Sequence, residues 1–152
     1  MTDQQVNIRV GVKADLPQVH DLIKELALFE KAPEQVITTV ETMERDGFGN
    51  TPLFNFIVAE VNGKIIGMAL YFVKYSTWRG KGLYLDDLIV TESYRGKGIG
   101  NQLLSAYMDE GKRQNASQLH WQVLDWNTPA VDFYKKIGAK IEAEWWDCKI
   151  NL

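Results

Sequence analysis

The sequence predicts an α+β fold, a mixed sheet with helices packed on it. Three observations predict this class. Asn62-Gly63 joins two apolar runs, as in a hairpin with a type I′ turn. The run 65–73 is apolar on both faces, which is typical of a central strand. Between 83 and 124, a strand, a glycine-rich turn, a helix and another strand follow in order, which implies a crossover between parallel strands.

Two helices are expected in the first third of the chain. The first spans about 15–30, where apolar residues repeat at spacings of three and four on one face: Leu16, Val19, Ile23 and Leu26. Thr38 or Thr39 is suited to cap a short second helix, which Gly47 and Gly49 would end.

Four early strands are expected at 6–10, 53–61, 64–75 and 83–90. The last three follow one another directly and predict an antiparallel meander.

The second half of the chain changes character. A glycine-rich turn at 96–100 opens a helix with the stripe Ile99, Leu103, Tyr107 and Gly111, and a strand is expected at 119–124. A helix should then span 129–137, with Thr128 as its cap and Gly138 as its stop. A final strand is expected at 141–150.

Composition limits the function classes. The 152 residues suit one domain, 1–152, and 45% hydrophobic with 24% charged residues is ordinary for a globular protein. The net charge of −3 disfavours nucleic-acid binding, which draws on phosphate neutralisation. No apolar run is long enough to span a bilayer, and residues 1–7 do not resemble a signal peptide. With one cysteine, no intrachain disulfide is possible. Together, these observations predict a cytoplasmic protein without membrane or nucleic-acid partners.

The glycine-rich turn, Arg95-Gly-Lys-Gly-Ile-Gly100, is the most informative stretch. It follows a strand and opens a helix, where free N–H groups and the helix dipole favour an anion such as a pyrophosphate. Arg95 and Lys97 add positive charge. The P-loop pattern is absent, and the dinucleotide pattern fails at Asn101 and Leu103. From the glycines alone, a purely structural turn remains an alternative.

The turn and its context resemble the R/Q-x-x-G-x-G/A signature of the GCN5-related N-acetyltransferase (GNAT) superfamily. Nearly the whole chain is similar to its spermidine/spermine (diamine) branch, including the thialysine-acetylating members. The segments that carry the likeness include Phe29-Glu30, Asp46-Gly-Phe-Gly49, Tyr75-Ser-Thr-Trp78, Leu83-Tyr-Leu-Asp-Asp87, Leu124-Asp-Trp-Asn127 and Phe133-Tyr-Lys135.

The resemblance implies a GNAT fold, with helices on both faces of the sheet and a splayed parallel strand pair. It also implies acetyl-CoA as the acetyl donor and no metal. The residues that it assigns to the coenzyme are Leu88, Ile89, Val90, Arg95, Gly96, Lys97, Gly98, Ile99, Gly100, Asn101, Asn127, Pro129 and Tyr134.

Two residues are expected to act in catalysis. By resemblance, Tyr134 is the general acid that protonates the coenzyme A thiolate, although its helical spacing alone favours a core tyrosine. The resemblance also places Asp86 at the position of a glutamate that binds the amine and helps to remove its proton through water. Because Asp86 and Asp87 are adjacent in a strand, their side chains should leave opposite faces, so at most one enters a given cleft.

The resemblance makes Phe29, Glu30, Trp78 and Asp86 substrate contacts. Glu30 extends the stripe of the first helix near a C-terminus, where the dipole disfavours anions, and would bind a distal ammonium. The alternatives are a solvated Glu30 beside Lys31, and a surface or dimer-interface role for Trp78.

His20 and His120 show no ligand spacing, so no metal site is expected, and Cys148 has no visible base partner. The predicted function is acetyl transfer from acetyl-CoA to a primary amine of a small diamine or polyamine, by direct attack in a ternary complex. The alternatives are a thialysine-like or lysine-like amino acid as substrate, protein amines, and a non-enzymatic acetyl-CoA-binding module. The resemblance also implies a homodimer.

Overall fold

The computed structural model describes residues 4–152, which form two compact units divided after Gln122. The single domain expected at 1–152 stays a prediction. The expectation about a signal peptide falls partly on residues 1–3, outside the described residues. Within 4–152, no helix is both long enough and apolar enough to cross a membrane.

The first unit is built on one five-stranded sheet with the strands in chain order. Its strands are β1 (Asn7–Val10), β2 (Asn55–Val61), β3 (Lys64–Ser76), β4 (Gly80–Val90) and β5 (Gln118–Trp121). All neighbours are antiparallel except β4 and β5, which are parallel, so the predicted mixed sheet is confirmed. In the β2–β3 turn, Asn62 and Gly63 have φ of 50° and 79°, as a type I′ turn requires.

Helices cover both faces of this sheet, as predicted. They are α1 (Leu16–Phe29), α2 (Val40–Phe48) and α3 (Ile99–Arg113). The α1 side of the core takes even-numbered residues of β3, such as Met68 and Leu70. The α3 side takes odd-numbered ones, such as Tyr71, whose ring lies 5.6 Å from that of Tyr107. Because residues of a strand alternate between faces, β3 is the buried central strand that its sequence indicated.

The caps follow the predicted chemistry in part. Thr39 caps α2 by accepting a hydrogen bond from the Thr42 N–H, and Gly49 follows the helix, whereas Gly47 lies inside it. The β5 strand ends at Trp121 rather than at 124.

The second unit contains one helix, α4 (Thr128–Lys136). Its N-cap is Asn127 rather than Thr128, and Gly138, with φ of 90°, follows its end as predicted. The final strand expected at 141–150 is wrong, since 139–152 contain no strand. Trp146 and Ile150 are each 89% exposed, so no apolar burial accompanies an extended conformation there.

Candidate functional site

The parallel strand pair opens where the coenzyme residues were predicted. Pairing joins Gly82–Leu85 of β4 to Gln118–Trp121 of β5 and stops there. Beyond Leu85, β4 continues to Val90 with β3 on one side, and no strand of residues 4–152 pairs with its other edge. The backbone of Leu88, Ile89 and Val90 lies on this stretch, where an extended ligand could take ladder hydrogen bonds.

The glycine turn follows directly and has the geometry of an anion cradle. Gly96 and Gly98 have φ of 75° and 78°, a conformation that L side chains rarely adopt, and a Cβ at either would meet no atom within 4 Å. Gly98 is the N-cap of α3, and no side chain caps that helix. The N–H groups of its first turn therefore remain for a ligand, which fits a pyrophosphate.

The two cations of the turn are placed differently. Arg95 Nε donates to the Val90 carbonyl at 2.9 Å, and the guanidinium lies 5.4 Å from the Phe29 ring centroid. Lys97 Nζ lies 5.1 Å from the ring centroid of Tyr94. Arg95 thus braces the turn against β4 and α1.

Asp86 and Asp87 both line one cavity of about 260 Å³, so the expectation that they leave opposite faces is wrong. The reason is a β-bulge. Leu70 pairs with Asp87 and Tyr71 pairs with Leu85, which leaves Asp86 as the extra residue. Such a bulge breaks the alternation of the strand and re-aims side chains.

The cavity combines three aspartates, Asp46, Asp86 and Asp87, with a mainly apolar lining. The remaining lining comes from α1, α2 and the strands around them: Ile23, Thr38, Met43, Leu53, Phe54 and Leu70. Burial, with the negative charges of Asp86 and Glu30, raises the pKa of Asp87 to about 7. A carboxyl group that titrates near neutrality in a cavity is suited to exchange a proton with an amine.

Asp87 was absent from the predicted site. The sequence signal was present, since the two aspartates are adjacent, but the alternation rule assigns them to opposite faces. Only the register of β3 against β4 reveals the bulge.

Glu30 lies at the end of α1, where its N–H closes the last turn on the Leu26 carbonyl at 2.9 Å. Burial and the charge of Asp86 raise the pKa of Glu30. The structure therefore brings Glu30 within electrostatic reach of both aspartates, with Phe29 beside it.

Trp78 lies away from these carboxylates, 88% exposed in the turn between β3 and β4. Strand β4 begins after this turn at Gly80, and Asp86 lies six residues, or about 20 Å, further along the strand.

The other predicted residues lie in the second unit. Asn127 precedes α4, and its side chain makes no capping hydrogen bond. Pro129 lies in the first turn of α4, and Tyr134 lies near its end with its ring 5.7 Å from that of Phe133. Burial raises the pKa of the Tyr134 phenol.

The histidines and the cysteine have separate surroundings. His20 Nε2 lies 2.7 Å from the Thr38 carbonyl, and His120 Nδ1 lies 2.9 Å from Lys74 Nζ. Cys148 is exposed. In the part of the chain that the structure describes, no group of three or more His, Cys, Asp or Glu side chains could hold a metal ion.

Comparisons with known proteins agree with this geometry. The model of the acetyltransferase (GNAT) family matches residues 16–139. A thialysine N-epsilon-acetyltransferase of Bos taurus is 39% identical over 94% of this chain and 90% of its own length. A spermidine/spermine N(1)-acetyltransferase-like protein of Homo sapiens is 37% identical over 87% of this chain and 20% of its own length. An aminoglycoside N-acetyltransferase in complex with CoA shares the fold, with a TM-score of 0.77 at 17% identity, over 99% of this chain and 98% of its own. The chain is an acyltransferase and belongs to the acetyltransferase (GNAT) family.

Proposed function

We propose that this enzyme transfers the acetyl group of acetyl-CoA to a primary amine of a small cationic substrate. The observation that carries the proposal is the position of the acidic cavity on β4. Asp86 and Asp87 lie in that strand, and the same strand runs through an open edge at 88–90 into the glycine turn. An amine held by the carboxylates would lie beside a thioester held along the edge.

The chemistry needs two proton transfers. An alkyl ammonium must lose a proton before its nitrogen can attack the thioester carbonyl, and the departing thiolate must gain one. Asp87, with its pKa near 7, and Asp86 would take the amine proton directly or through water. Tyr134 would donate its phenolic proton to the thiolate, and no covalent enzyme intermediate is needed when both substrates bind together.

The coenzyme contacts are proposed from the same arrangement of β4 and the glycine turn. We assign the thioester and pantetheine arm to the backbone of 88–90 and to Asn127 and Pro129. The pyrophosphate is assigned to the turn 95–101. Gly96 and Gly98 admit close approach of the backbone, and Lys97 supplies charge.

Two substrate classes suit the acidic cavity, in line with the names of the relatives. A diamine or polyamine would place its second ammonium near Glu30. A thialysine-like or lysine-like amino acid would place its α-ammonium there. We further propose that the enzyme acts as a homodimer in the cytoplasm.

A panel of amines, each read by release of the CoA thiol from acetyl-CoA, tests the proposal. The panel contains spermidine, 1,4-diaminobutane, thialysine and lysine, with a monoamine of similar length as the reference. We expect saturable thiol release with at least one dicationic amine and a lower kcat/KM with the monoamine. Thiol release that no amine accelerates would contradict the proposal.

A further inference from the structure

A basic and aromatic cluster lies outside the features used so far. It consists of Lys74 on β3, Tyr84 on β4 and His120 on β5. Lys74 Nζ lies 2.9 Å from His120 Nδ1 and 5.2 Å from the Tyr84 ring centroid. The Tyr84 and His120 rings meet edge to face, with centroids 5.0 Å apart.

This cluster shares a sheet face with the acidic cavity. Leu70, which lines the cavity, and Lys74 are both even-numbered residues of β3, which has no extra residue of its own there. Phe72 lies between them and contacts the ring of Tyr84 at 5.2 Å between centroids. Residues that alternate along one strand point to one face, so the cluster and the cavity open on the same side.

The Lys74 side chain leans toward the cavity. The backbone of Lys74 pairs with Gly82, yet its ammonium lies over Tyr84, two residues nearer to Asp86. Tyr84 and Asp86 are about 7 Å apart along the strand. The ammonium donates to His120 Nδ1 and forms no ion pair with a carboxylate of residues 4–152.

This sheet face is therefore acidic at the cavity and basic at the cluster. The chain of an amine bound in the cavity could extend over Tyr84, and its far end would then meet the Lys74 ammonium. A carboxylate there would gain a charge-assisted hydrogen bond, whereas a second ammonium would be repelled and would turn toward Glu30 instead.

We propose that Lys74 is a carboxylate-binding subsite that selects α-amino acids bearing a terminal amine over diamines of the same chain length. His120 and Tyr84 hold the ammonium in place. This inference rests on the proposed function, because the substrate must place its reacting amine at Asp86 and Asp87.

Lysine and 1,5-diaminopentane test the subsite, since they differ only by the carboxylate. The ratio of their kcat/KM values is measured in wild type and in Lys74→Met, which keeps the apolar stem and loses the charge. We expect the ratio to fall about ten-fold, the size of one lost charge-assisted hydrogen bond. Lys74→Arg should keep most of the preference.

Lys81→Met is the matched control. Lys81 is exposed on β4, and its charge acts on Glu110 of α3, on the opposite sheet face. We expect its ratio to equal that of wild type. Equal losses for both substrates in Lys74→Met would overturn the subsite while acetyl transfer stands. A wild-type enzyme that acetylates no amine would overturn the proposed function, and the subsite with it.

Discussion

The Glu25 carboxylate accepts a hydrogen bond of 2.9 Å from the hydroxyl of Thr91, which lies 66 residues later in the chain. It also accepts from the Glu92 N–H at 3.0 Å and lies 3.4 Å from Arg95 Nη2. One side chain of α1 thus holds three groups of the segment that leads into the glycine turn. The same helix ends at Phe29 and Glu30, for which we propose amine binding, so α1 would support both halves of the proposed site.

Glu25→Gln should weaken acetyl-CoA binding, because the segment that leads into the turn loses its charged hydrogen-bond acceptor. We expect the Kd for acetyl-CoA to rise about ten-fold. The kcat/KM should fall with acetyl-CoA but change little with S-acetylpantetheine, which has no pyrophosphate for the turn to bind. Calorimetry and steady-state kinetics measure these quantities. Glu44→Gln, which removes only an exposed pair with Lys13 at 4.0 Å, is the control. Equal losses with both donors would mean that Glu25 supports the fold in general.

Gly98→Asn tests the anion cradle. Asparagine tolerates positive φ better than most residues, so the chain should still fold, but its side chain would occupy the space of the pyrophosphate. We expect acetyl-CoA affinity to fall below detection in calorimetry, with a small change in Tm. Gly80→Asn is matched in conformation, with φ of 77° and no atom within 4 Å of its Cβ, and lies in another turn. Loss of affinity in both variants would refute the assignment.

Asp87 should make stability and activity depend on pH in opposite directions. Its pKa is raised from 3.8 to about 7, so the folded state binds more protons than the unfolded state between these values. The free energy of unfolding therefore falls as pH rises through that window. Asp87→Asn should raise Tm at pH 8 and change it little at pH 4.

The same substitution should lower kcat/KM for the amine and remove the rise of the rate as pH passes about 7. Asp109→Asn, at an exposed position of α3, should leave both the Tm difference and the rate profile unchanged. A variant that is less stable than wild type at pH 8 would show that Asp87 is a structural carboxylate.

Tyr134→Phe keeps the ring in α4 and removes only the hydroxyl. If the phenol protonates the thiolate, kcat should fall about 10²–10⁴-fold, with little change in acetyl-CoA Kd or Tm. Thioesters of more acidic thiols should recover part of the loss, since a better leaving group needs less protonation. Tyr75→Phe, in the exposed part of β3, is the control. A folded Tyr134→Phe enzyme with wild-type kcat would exclude the role, provided that chemistry limits turnover.

The fold was largely predictable because its signals are local. Asn62-Gly63 specifies a turn by the φ values it tolerates, and the periodicity of α1 and α3 needs no knowledge of distant residues. The final strand was wrong because the mixed apolar and polar residues at 141–150 form a strand only when another strand pairs with them. Whether such a partner exists is not a local property of the sequence. Asp87 was missed for the same reason, since a bulge exists only relative to a partner strand.

The extra residue at Asp86 also changes which layer of the protein the odd-numbered residues of β4 face. Before it, odd-numbered Leu85 pairs with Tyr71, which faces α3; after it, odd-numbered Ile89 belongs to the core beneath α1. Loss of Asp86 would close the bulge, leave Asp87 opposite Leu70 on the α1 side and remove one of the two carboxylates from the cavity. Insertions and deletions are usually tolerated in loops, but here the length of a strand is itself constrained. Any homologous enzyme that keeps an acidic pair in this strand should keep the same number of residues between Gly80 and the glycine turn.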